Sequence, residues 1–278
     1  MKKIGIVSCN KWKNKIIEDC SIQKQFVING FDCDIISWED KEIDYNEYEC
    51  LLLRSVWGYQ NNYEAFISWL SFIKENNIKL YNSVETIKNN IRKDIQFHIL
   101  DENGIPHIPT KFYVDIDGLN NLSYNSVIKP IISGSGNNTF IVTPDNIQSV
   151  KKIFNNILLC RNNGFMVQPY IKDIEHGEYS IVFIGNTNTH NMIRTPGIFT
   201  EKIKPYEIKS IPQNVIDLAN KVKSISDLKD SLYMRIDIVG DEKPLIMEVE
   251  LAEPDLLTRY ISSQKPVEIL CKELIKRL

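Results

Sequence analysis

The chain has 278 residues, of which 43% are hydrophobic and 25% charged, and its formal net charge is −3. This is an ordinary globular composition, long enough for two or three subdomains with a sizeable core. The acidic balance argues against a nucleic-acid-binding protein, which usually carries a basic excess. No run approaches the roughly 18 apolar residues of a membrane-spanning helix, so we expect neither nucleic acid nor a membrane as a partner.

The cysteines and the N-terminal residues indicate a cytoplasmic protein. The 6 cysteines form no C-x-x-C pair and the 4 histidines show no zinc-site spacing, so we expect reduced thiols. Too few residues separate the first lysines from Cys9 to make the apolar region of a signal peptide. A first core strand is expected there instead.

Strands alternate with helices over the first third of the chain, which predicts a parallel α/β domain. Ligands bind beyond the carboxyl ends of the strands in such sheets, and Arg54, Trp57 and Tyr59 follow the end of the third strand. The predicted elements are strands at 4–8, 31–38, 49–55 and 78–81 and helices at 13–29 and 63–75.

The rest of the chain predicts one further helix and then mainly antiparallel strands. The helix spans 83–103 and is followed by a proline-containing turn and the strand KFYV. The later elements are the strands SVIKPII, FIVT and FMVQPYI, a helix at 144–156, a strand at 178–184, an irregular connection, a helix at 213–228, a hairpin and a closing helix at 265–278.

The hairpin carries the strongest chemical signal. Its two stretches of alternating residues, YMRIDIV and LIMEVELAEP, would bring three carboxylates and one guanidinium to one face. Like charges across a sheet repel, so this cluster favours Mg²⁺, which takes carboxylate and phosphate oxygens; the alternative is a solvated charged face. The expected pairs are Asp237 with Glu248 and Arg235 with Glu250, while Met247, Val249 and Leu251 face the other way.

Lys129 lies among apolar residues, where a lysine is costly to bury unless it is paired. It is either a phosphate ligand or an edge-strand lysine whose ammonium reaches water. The loop SGSGNNT follows at once. Its small residues would let backbone amides approach an anion, although ordinary hairpin loops have a similar composition.

A strand, a polar break and a second strand make up FMVQPYIKDIEHGEYSIVFI. Such a connection could hold an adenine against backbone groups, with Glu175 or Glu178 at the ribose hydroxyls. The alternative is a plain strand–turn–strand unit with exposed acids.

Together these segments resemble the ATP-grasp superfamily from roughly Lys93 to Pro254. The resemblance implies an α/β plus α+β fold with ATP bound between the last two of three parts. These parts are an N-terminal parallel α/β domain (1–88), a small central α+β subdomain (89–167) and a C-terminal antiparallel-sheet domain (168–278). The implied cofactors are ATP and one or two Mg²⁺ ions, for which Mn²⁺ could substitute.

The resemblance also implies a role for individual residues. The implied ATP-binding residues are Lys93, Lys129, Ser133, Gly134, Ser135, Gly136, Gln168, Pro169, Tyr170 and Ile171, with Glu175 or Glu178 at the ribose. The implied metal ligands are Asp237, Glu248 and Glu250, and the implied catalytic residues are Arg235 and Arg194.

Within the superfamily, the chain resembles the bacterial group containing the cyclo-ligase that closes O-ureidoserine to cycloserine. The shared motifs are R-x-x-W-x-Y in RSVWGYQ, KP-x-x-S before the glycine loop, GE-x-S from Gly177 to Ser180 and E-x-E-x-x-EP from Glu248 to Pro254. The chain departs from the group at Gly58, commonly acidic, at Thr200, where a basic residue is expected, and at Arg194, commonly lysine.

The implied activity is that of a carboxylate–amine ligase with a small amino-acid-like substrate. A carboxylate oxygen attacks the γ-phosphate and an amine intercepts the acyl phosphate, so positioning and charge stabilisation dominate. Arg54 would anchor a substrate carboxylate or form a strand-end ion pair. Trp57 and Tyr59 would wall the substrate pocket or pack in the core, and His190 would touch the substrate or be structural.

Other functions stay open at this point. They are an intramolecular cyclo-ligase, a kinase acting on a small carboxylate, and a nucleotide-binding regulatory protein without turnover. The intact lysine pair and carboxylate set favour an enzyme. The two substrates are not determined by the sequence, nor is the oligomeric state, for which a homodimer is one possibility.

Overall fold

The computed structural model describes residues 2–122, 125–134, 136–157, 162–195 and 204–278. Three β-sheets follow one another along the chain, one parallel and two antiparallel. This confirms the predicted combination of an N-terminal α/β part with later antiparallel sheets. The exact boundaries at 88 and 167 stay a prediction.

The first sheet is parallel and has the strand order β2-β1-β3-β4. Its strands are β1 (Lys3–Ser8), β2 (Asp32–Ser37), β3 (Cys50–Leu53) and β4 (Leu80–Tyr81). Helices α1 (Ile17–Ile28) and α2 (Tyr63–Glu75) contribute to separate clusters on its two faces. Burial on both faces explains why the central strand β3 is a continuous apolar run.

The single helix predicted at 83–103 is wrong, because the structure has two helices there. They are α3 (Val84–Asn90) and α4 (Lys93–Glu102), separated by an extended Arg92. The break lets Asn90 and Gln96 accept hydrogen bonds from the backbone amides of Leu251 (2.8 Å) and Val249 (3.0 Å). Tertiary contacts thus interrupt a sequence that favours helix, and they place Lys93 at the start of α4.

The second sheet is antiparallel, in the order β5-β8-β6-β7, and it carries the glycine loop between β6 and β7. Helix α5 (Ile147–Asn156) packs on it through Val150 and Phe154. Its strands are β5 (Lys111–Tyr113), β6 (Ser126–Pro130), β7 (Phe140–Val142) and β8 (Phe165–Pro169).

The third sheet has the order β11-β10-β9-β12-β13, and its pairs are all antiparallel. Its strands are β9 (Glu178–Ile184), β10 (Thr187–Arg194), β11 (Tyr206–Glu207), β12 (Tyr233–Val239) and β13 (Leu245–Glu250). The irregular connection predicted after 184 is therefore wrong. Only His190 and Met192 of β10 are buried, so its polar sequence hides the strand pattern.

Two C-terminal helices complete the described architecture. Helix α6 (Gln213–Lys223) packs with α4 against β9, β12 and β13, and α7 (Lys265–Ile275) packs beside α1. Both end earlier than predicted. No described helix is long and apolar enough to cross a bilayer. The five cysteines in the described ranges are free thiols, as predicted, and Cys160 lies outside those ranges.

Tyr233 joins the first sheet to the segment after β13. Its buried hydroxyl lies 2.5 Å from the carbonyl oxygen of Leu53 and 3.0 Å from that of Ala252. Tyr233→Phe would leave both carbonyls without this donor, so we expect the free energy of unfolding to fall by about 1–3 kcal/mol. Urea denaturation measures this, with the exposed Tyr206→Phe as the control. Equal stability of the two variants would contradict the assignment.

Candidate active site

The β12–β13 pairing brings the predicted charged residues together. Asp237 pairs with Glu248 and Arg235 with Glu250, which confirms the predicted register. The ladder then shifts, since Ile238 pairs with Ile246. This β-bulge leaves one extra residue on β13. Met247 therefore lines the same cavity as Glu248, and the prediction that it faces the other way is wrong.

These strands border a cavity of about 830 Å³ that is also lined by the glycine loop and the segment after β8. Most of the predicted site residues lie on its wall. They are Trp57, Tyr59, Lys93, Lys129, Ser133, Gly134, Gly136, Gln168, Pro169, Tyr170, Ile171, Glu178, Arg194, Arg235, Asp237, Glu248 and Glu250. Ser135 and Thr200 lie outside the described residues.

Arg54 is not part of the cavity wall, which corrects its prediction as a substrate anchor. It is only 2% exposed, its Nη2 lies 2.5 Å from Glu18 Oε1, and its guanidinium lies over the ring of Tyr233 at 5.0 Å. The alternative of a strand-end ion pair agrees with this geometry. The partner could not be predicted from the sequence, because Glu18 is on a different element, α1.

His190 is likewise away from the cavity. Its Nε2 lies 2.6 Å from the carbonyl oxygen of Leu256 and its Nδ1 2.9 Å from Thr189 Oγ1. A carbonyl oxygen only accepts, so Nε2 carries the proton and Nδ1 accepts from the hydroxyl. Burial lowers the pKa of His190. The structural alternative fits this neutral, buried ring.

Of the two glutamates proposed for the ribose, only Glu178 lines the cavity. Glu175 is exposed and accepts a hydrogen bond from the hydroxyl of Tyr170 (2.9 Å), outside the cavity lining. Glu178 is buried in the cavity wall. Gly177 precedes it with φ +102°, and a Cβ there would lie 2.8 Å from Ile193 Cγ2. Glycine thus permits the tight turn by which Glu178 enters β9.

Trp57 and Tyr59 both line the cavity, and Tyr59 also packs in the core, while their contact with a substrate stays a prediction. Tyr59 lines the cavity and is also buried in the N-terminal core, with its ring 4.9 Å from that of Phe66. Trp57 lines the cavity and donates from Nε1 to the carbonyl oxygen of Glu253 (2.9 Å).

Each carboxylate of the predicted metal set contacts a cation. Lys93 pairs with Glu248, Arg235 Nη2 lies 2.6 Å from Glu250 Oε1, and Arg194 Nη2 lies 2.8 Å from Asp237 Oδ2 and 2.7 Å from Glu178 Oε1. Asp237 also accepts from Ser180 (2.7 Å) and Arg235. Arg194 and Arg235 outweigh the effect of burial and lower the pKa of Asp237.

Lys129 differs from the other cations. Its ammonium makes no hydrogen bond or ion pair with any residue that the structure describes, although it lines the same cavity. Burial lowers the pKa of Lys129, and the negative charge of Glu248 offsets part of this effect. A bound anion would satisfy this ammonium and raise its pKa again.

Burial raises the pKa of several carboxyl groups of the cavity, whereas it lowers that of Lys129. It raises the pKa of Glu178 to about 7, that of Glu250 to about 8 and that of Glu253 to about 7. A divalent cation beside Glu250 would favour its ionised form.

The segment after β8 lines the cavity and has unused backbone hydrogen-bonding capacity. The amide of Tyr170 donates to the carbonyl oxygen of Asn125 (3.1 Å), and Ile171 accepts from the amide of Ile174 (3.2 Å). Within the described residues, the Ile171 amide meets no acceptor. Apolar neighbours surround it, namely Ile108, Val239 and Met247. A flat heteroaromatic ring would find both a donor and an apolar wall here.

The donor chemistry fits Mg²⁺ at Glu248 and Glu250. Both carboxylates line the cavity from alternate positions of β13, and oxygen donors of this kind suit the ion. In the described ranges, no three His, Cys, Asp or Glu side chains converge on one point. Asp237 already has three partners in this structure, so its role as a ligand remains a prediction.

Sequence reasoning missed a second charged group on the cavity wall. Asp255 and Arg259 form a two-point ion pair (2.6 and 2.7 Å), and Glu253 lies close to Gly134, where a Cβ would be 3.7 Å from Glu253 Oε1. Glu253 belongs to the E-x-E-x-x-EP motif, which could have revealed it. Arg259 stands in no motif, and only the fold brings it to the cavity.

The raised pKa of Glu178 makes a prediction about stability. Its folded value is about 7 against an ordinary 4.5, so the folded state binds this proton more tightly. The free energy of unfolding should therefore fall as the pH rises from about 4.5 to about 7. Glu178→Gln removes this dependence, so the variant should gain stability relative to the parent over that range.

Urea denaturation of the nucleotide-free protein at pH 5 and pH 8 measures the effect. Glu175→Gln, on the exposed side of the same connection, is the matched control and should keep a constant difference from the parent. A pH-independent difference for Glu178→Gln would contradict the prediction.

Comparisons with known proteins relate this geometry to a family. A family model described as prokaryotic glutathione synthetase, ATP-grasp domain, matches residues 110–263, more than half of the chain. A second model, the N-terminal domain of D-cycloserine synthetase DcsG, matches residues 4–82. The cycloserine biosynthesis protein DcsG of Streptomyces lavendulae is 21% identical over 258 residues, which cover 82% of this chain and 83% of that protein.

Solved structures have the same fold. The crystal structure of D-cycloserine synthetase DcsG gives a TM-score of 0.82 at 17% identity and covers 99% of both chains. The D-alanine–D-alanine ligase of Bacillus anthracis, complexed with ATP, gives 0.69 at 15% identity and covers 99% of this chain and 97% of that chain. With a family model matched over more than half its length, the chain belongs to the ATP-grasp family, whose ligases form carbon–nitrogen bonds and use ATP and Mg²⁺.

Proposed function

We propose that this protein activates the carboxylate of a small amino-acid-like substrate as an acyl phosphate and transfers it to an amine. The observation that supports this most directly is the arrangement of charge in one cavity. Lys93 pairs with Glu248, Lys129 lies in the field of the same carboxylate, and Glu253, Asp255 and Arg259 line the same cavity. One set suits a magnesium–triphosphate, and the other suits a substrate that carries both charges.

The nucleotide would occupy the cavity with its base at the segment after β8. The free amide of Ile171 offers the base a hydrogen bond, and Glu178 is the carboxylate available to the ribose. The phosphates would extend toward Lys93, Lys129 and the glycine loop at 133–136. Lys129 supports this placement because, within the described residues, it lacks a partner of its own.

The metal would be held by Glu248 and Glu250. Asp237 lies opposite Glu248 on β12 and also lines the cavity. When bound, Mg²⁺ would neutralise negative charge on the phosphates. Lys93 and Arg235 contact the same carboxylates in this structure. We propose that these cations turn toward the phosphates when nucleotide and metal bind, so that every buried charge keeps a partner.

The reaction would proceed in two steps. First, a carboxylate oxygen of the substrate attacks the γ-phosphorus of ATP, its bond to the β-phosphate oxygen breaks, and ADP leaves. Second, the amine nitrogen attacks the acyl carbon, the carbon–oxygen bond to phosphate breaks, and inorganic phosphate and a proton leave. Arg194 and Arg235 line the cavity and would stabilise charge on the transferred phosphoryl group.

A second candidate is an intramolecular cyclo-ligase. It is favoured by the match of residues 4–82 to the DcsG N-terminal domain and by the likeness to D-cycloserine synthetase over nearly the whole chain. The two candidates share the first step. They differ in whether a separate amine is needed.

A substrate screen tests the proposed function. We expect ADP release from MgATP with one or a few members of a panel of amino acids, and hydroxylamine should trap the acyl phosphate as a hydroxamate. O-Ureidoserine belongs in the panel for the second candidate. A joined product of two substrates supports the ligase, and a product formed without added amine supports the cyclo-ligase.

The same screen needs an inactive variant. Glu248→Gln should lose at least about 100-fold in ADP release, because one metal ligand is replaced by a neutral amide. Its fold should be retained by circular dichroism, since Glu248 lies at the cavity wall. Unchanged ADP release by this variant would remove the metal assignment, and the absence of hydroxamate with every acid tested would contradict the acyl phosphate.

The phosphate role of Lys129 has its own prediction. Lys129→Met keeps most of the length of the side chain but removes the charge, so the Kd for MgADP should rise by about tenfold or more, which corresponds to about 1.4 kcal/mol. Isothermal titration measures it. Lys111→Met, exposed on β5 of the same sheet, is the matched control. Equal affinity of the two variants would contradict the role of Lys129.

A further inference from the structure

The backbone of residues 252–256 is held by side chains from distant parts of the chain. Five successive carbonyl oxygens each lie within hydrogen-bonding distance of a side-chain donor. The pairs are Ala252 with Tyr233 Oη (3.0 Å), Glu253 with Trp57 Nε1 (2.9 Å), Pro254 with Arg54 Nη2 (2.9 Å), Asp255 with Arg235 Nη1 (2.8 Å) and Leu256 with His190 Nε2 (2.6 Å).

Glu18 holds the other side of the same backbone. Its carboxylate accepts from the amides of Leu256 (3.4 Å) and Thr258 (3.2 Å) and from the hydroxyl of Thr258 (2.7 Å). It also accepts from Arg54 Nη2 (2.5 Å). The Glu18–Arg54 pair therefore contacts both amides and a carbonyl of the segment 252–258.

This segment presents part of the cavity wall. Glu253, Asp255 and Leu257 line the cavity, and Arg259 follows directly after the segment. Leu257 has φ +61°, a left-handed conformation that costs a non-glycine residue about 1–2 kcal/mol. The segment would not keep this shape without its outside contacts.

The ion pair is better suited to fixing a position than to adding stability. Arg54 and Glu18 are both almost fully buried, and Arg54 Nε and Nη1 have no hydrogen-bond partner within the described residues. Burying two charges costs more than an apolar pair of the same size unless every hydrogen-bonding group is satisfied. The pair nevertheless makes three hydrogen bonds to the backbone of one segment, at Pro254, Leu256 and Thr258.

We infer that Glu18 and Arg54 are positioning residues that fix the segment 252–258 in its substrate-binding shape. This inference rests on the proposed function only in taking the part of the cavity that Asp255 and Arg259 line as the place of the non-nucleotide substrate. The first sheet thus takes part in the reaction through its contacts with this segment rather than through a direct contact of Arg54 with substrate.

Glu18→Gln and Asp19→Asn form a matched pair for the test. Both residues are buried carboxylates on the same turn of α1, but Asp19 contacts Ser55 and Arg54 rather than the segment. In Glu18→Gln one carboxylate oxygen becomes an amide nitrogen, which cannot accept. We expect amide hydrogen exchange of residues 255–258 to be at least about tenfold faster in Glu18→Gln and unchanged in Asp19→Asn.

In kinetic measurements, Glu18→Gln should affect the KM for the substrate but not the KM for ATP. With the substrate found by the screen, Glu18→Gln should raise the KM for that substrate by about tenfold, equivalent to about 1.4 kcal/mol, while the KM for ATP stays within about twofold. A purely structural role would change both variants alike. Equal exchange rates in the two variants, or equal effects on both KM values, would overturn the inference.

A gentler pair of variants covers the case in which Glu18→Gln does not fold. Thr258→Val removes the hydroxyl that donates to Glu18, and Thr258→Ser keeps it. Faster amide exchange at 255–258 in Thr258→Val, with recovery in Thr258→Ser, supports the inference, and equal exchange in the two variants overturns it. The exchange readout needs no substrate, so a failed screen would count against the proposed function and not against this inference.

Discussion

Compensation of buried charge is the constraint on which this site depends. Carboxylates from β9, β12 and β13 enter one cavity together with ammonium and guanidinium groups from α4, β6, β10 and β12. A buried charge without a partner costs several kcal/mol, and these groups, apart from Lys129, avoid that cost by pairing with one another. Lys93 joins α4 to β13, and Arg194 joins β10 to β9 and β12, so the same electrostatic requirement also helps to hold these elements together.

Such a cavity is suited to a charged ligand because one set of partners can replace another. A magnesium–triphosphate brings both signs of charge, so Lys93 could exchange Glu248 for a phosphate while Glu248 exchanges Lys93 for the metal. Lys129 needs no exchange, since no described residue is paired with it. The segment 252–258 adds a different kind of constraint. Side chains from α1, from the loop after β3, from β10 and from β12 hydrogen-bond its backbone, so its shape depends on the assembled fold.

The sequence by itself determined the chemistry of the site and much of the architecture. Strict alternation in two stretches and a short loop between them were enough to give the register of Asp237 with Glu248, because pairing in a hairpin is a local property. Apolar runs separated by helical segments gave the parallel sheet in the same way. Lys93 and Arg194 could be named only through a family resemblance, since nothing local distinguishes them from ordinary surface cations.

Only the tertiary structure decided which polar residues reach the cavity. Arg54 follows a strand end, where parallel sheets bind ligands, yet Glu18 draws it into the interior. The break between α3 and α4 and the bulge beside Met247 likewise arise from contacts with other elements. Arg259 lines the cavity because the segment 252–258, which it follows, is folded along the cavity wall. These outcomes depend on partners far away in sequence, and the free energy of burying a charge is set by those partners rather than by its neighbours along the chain.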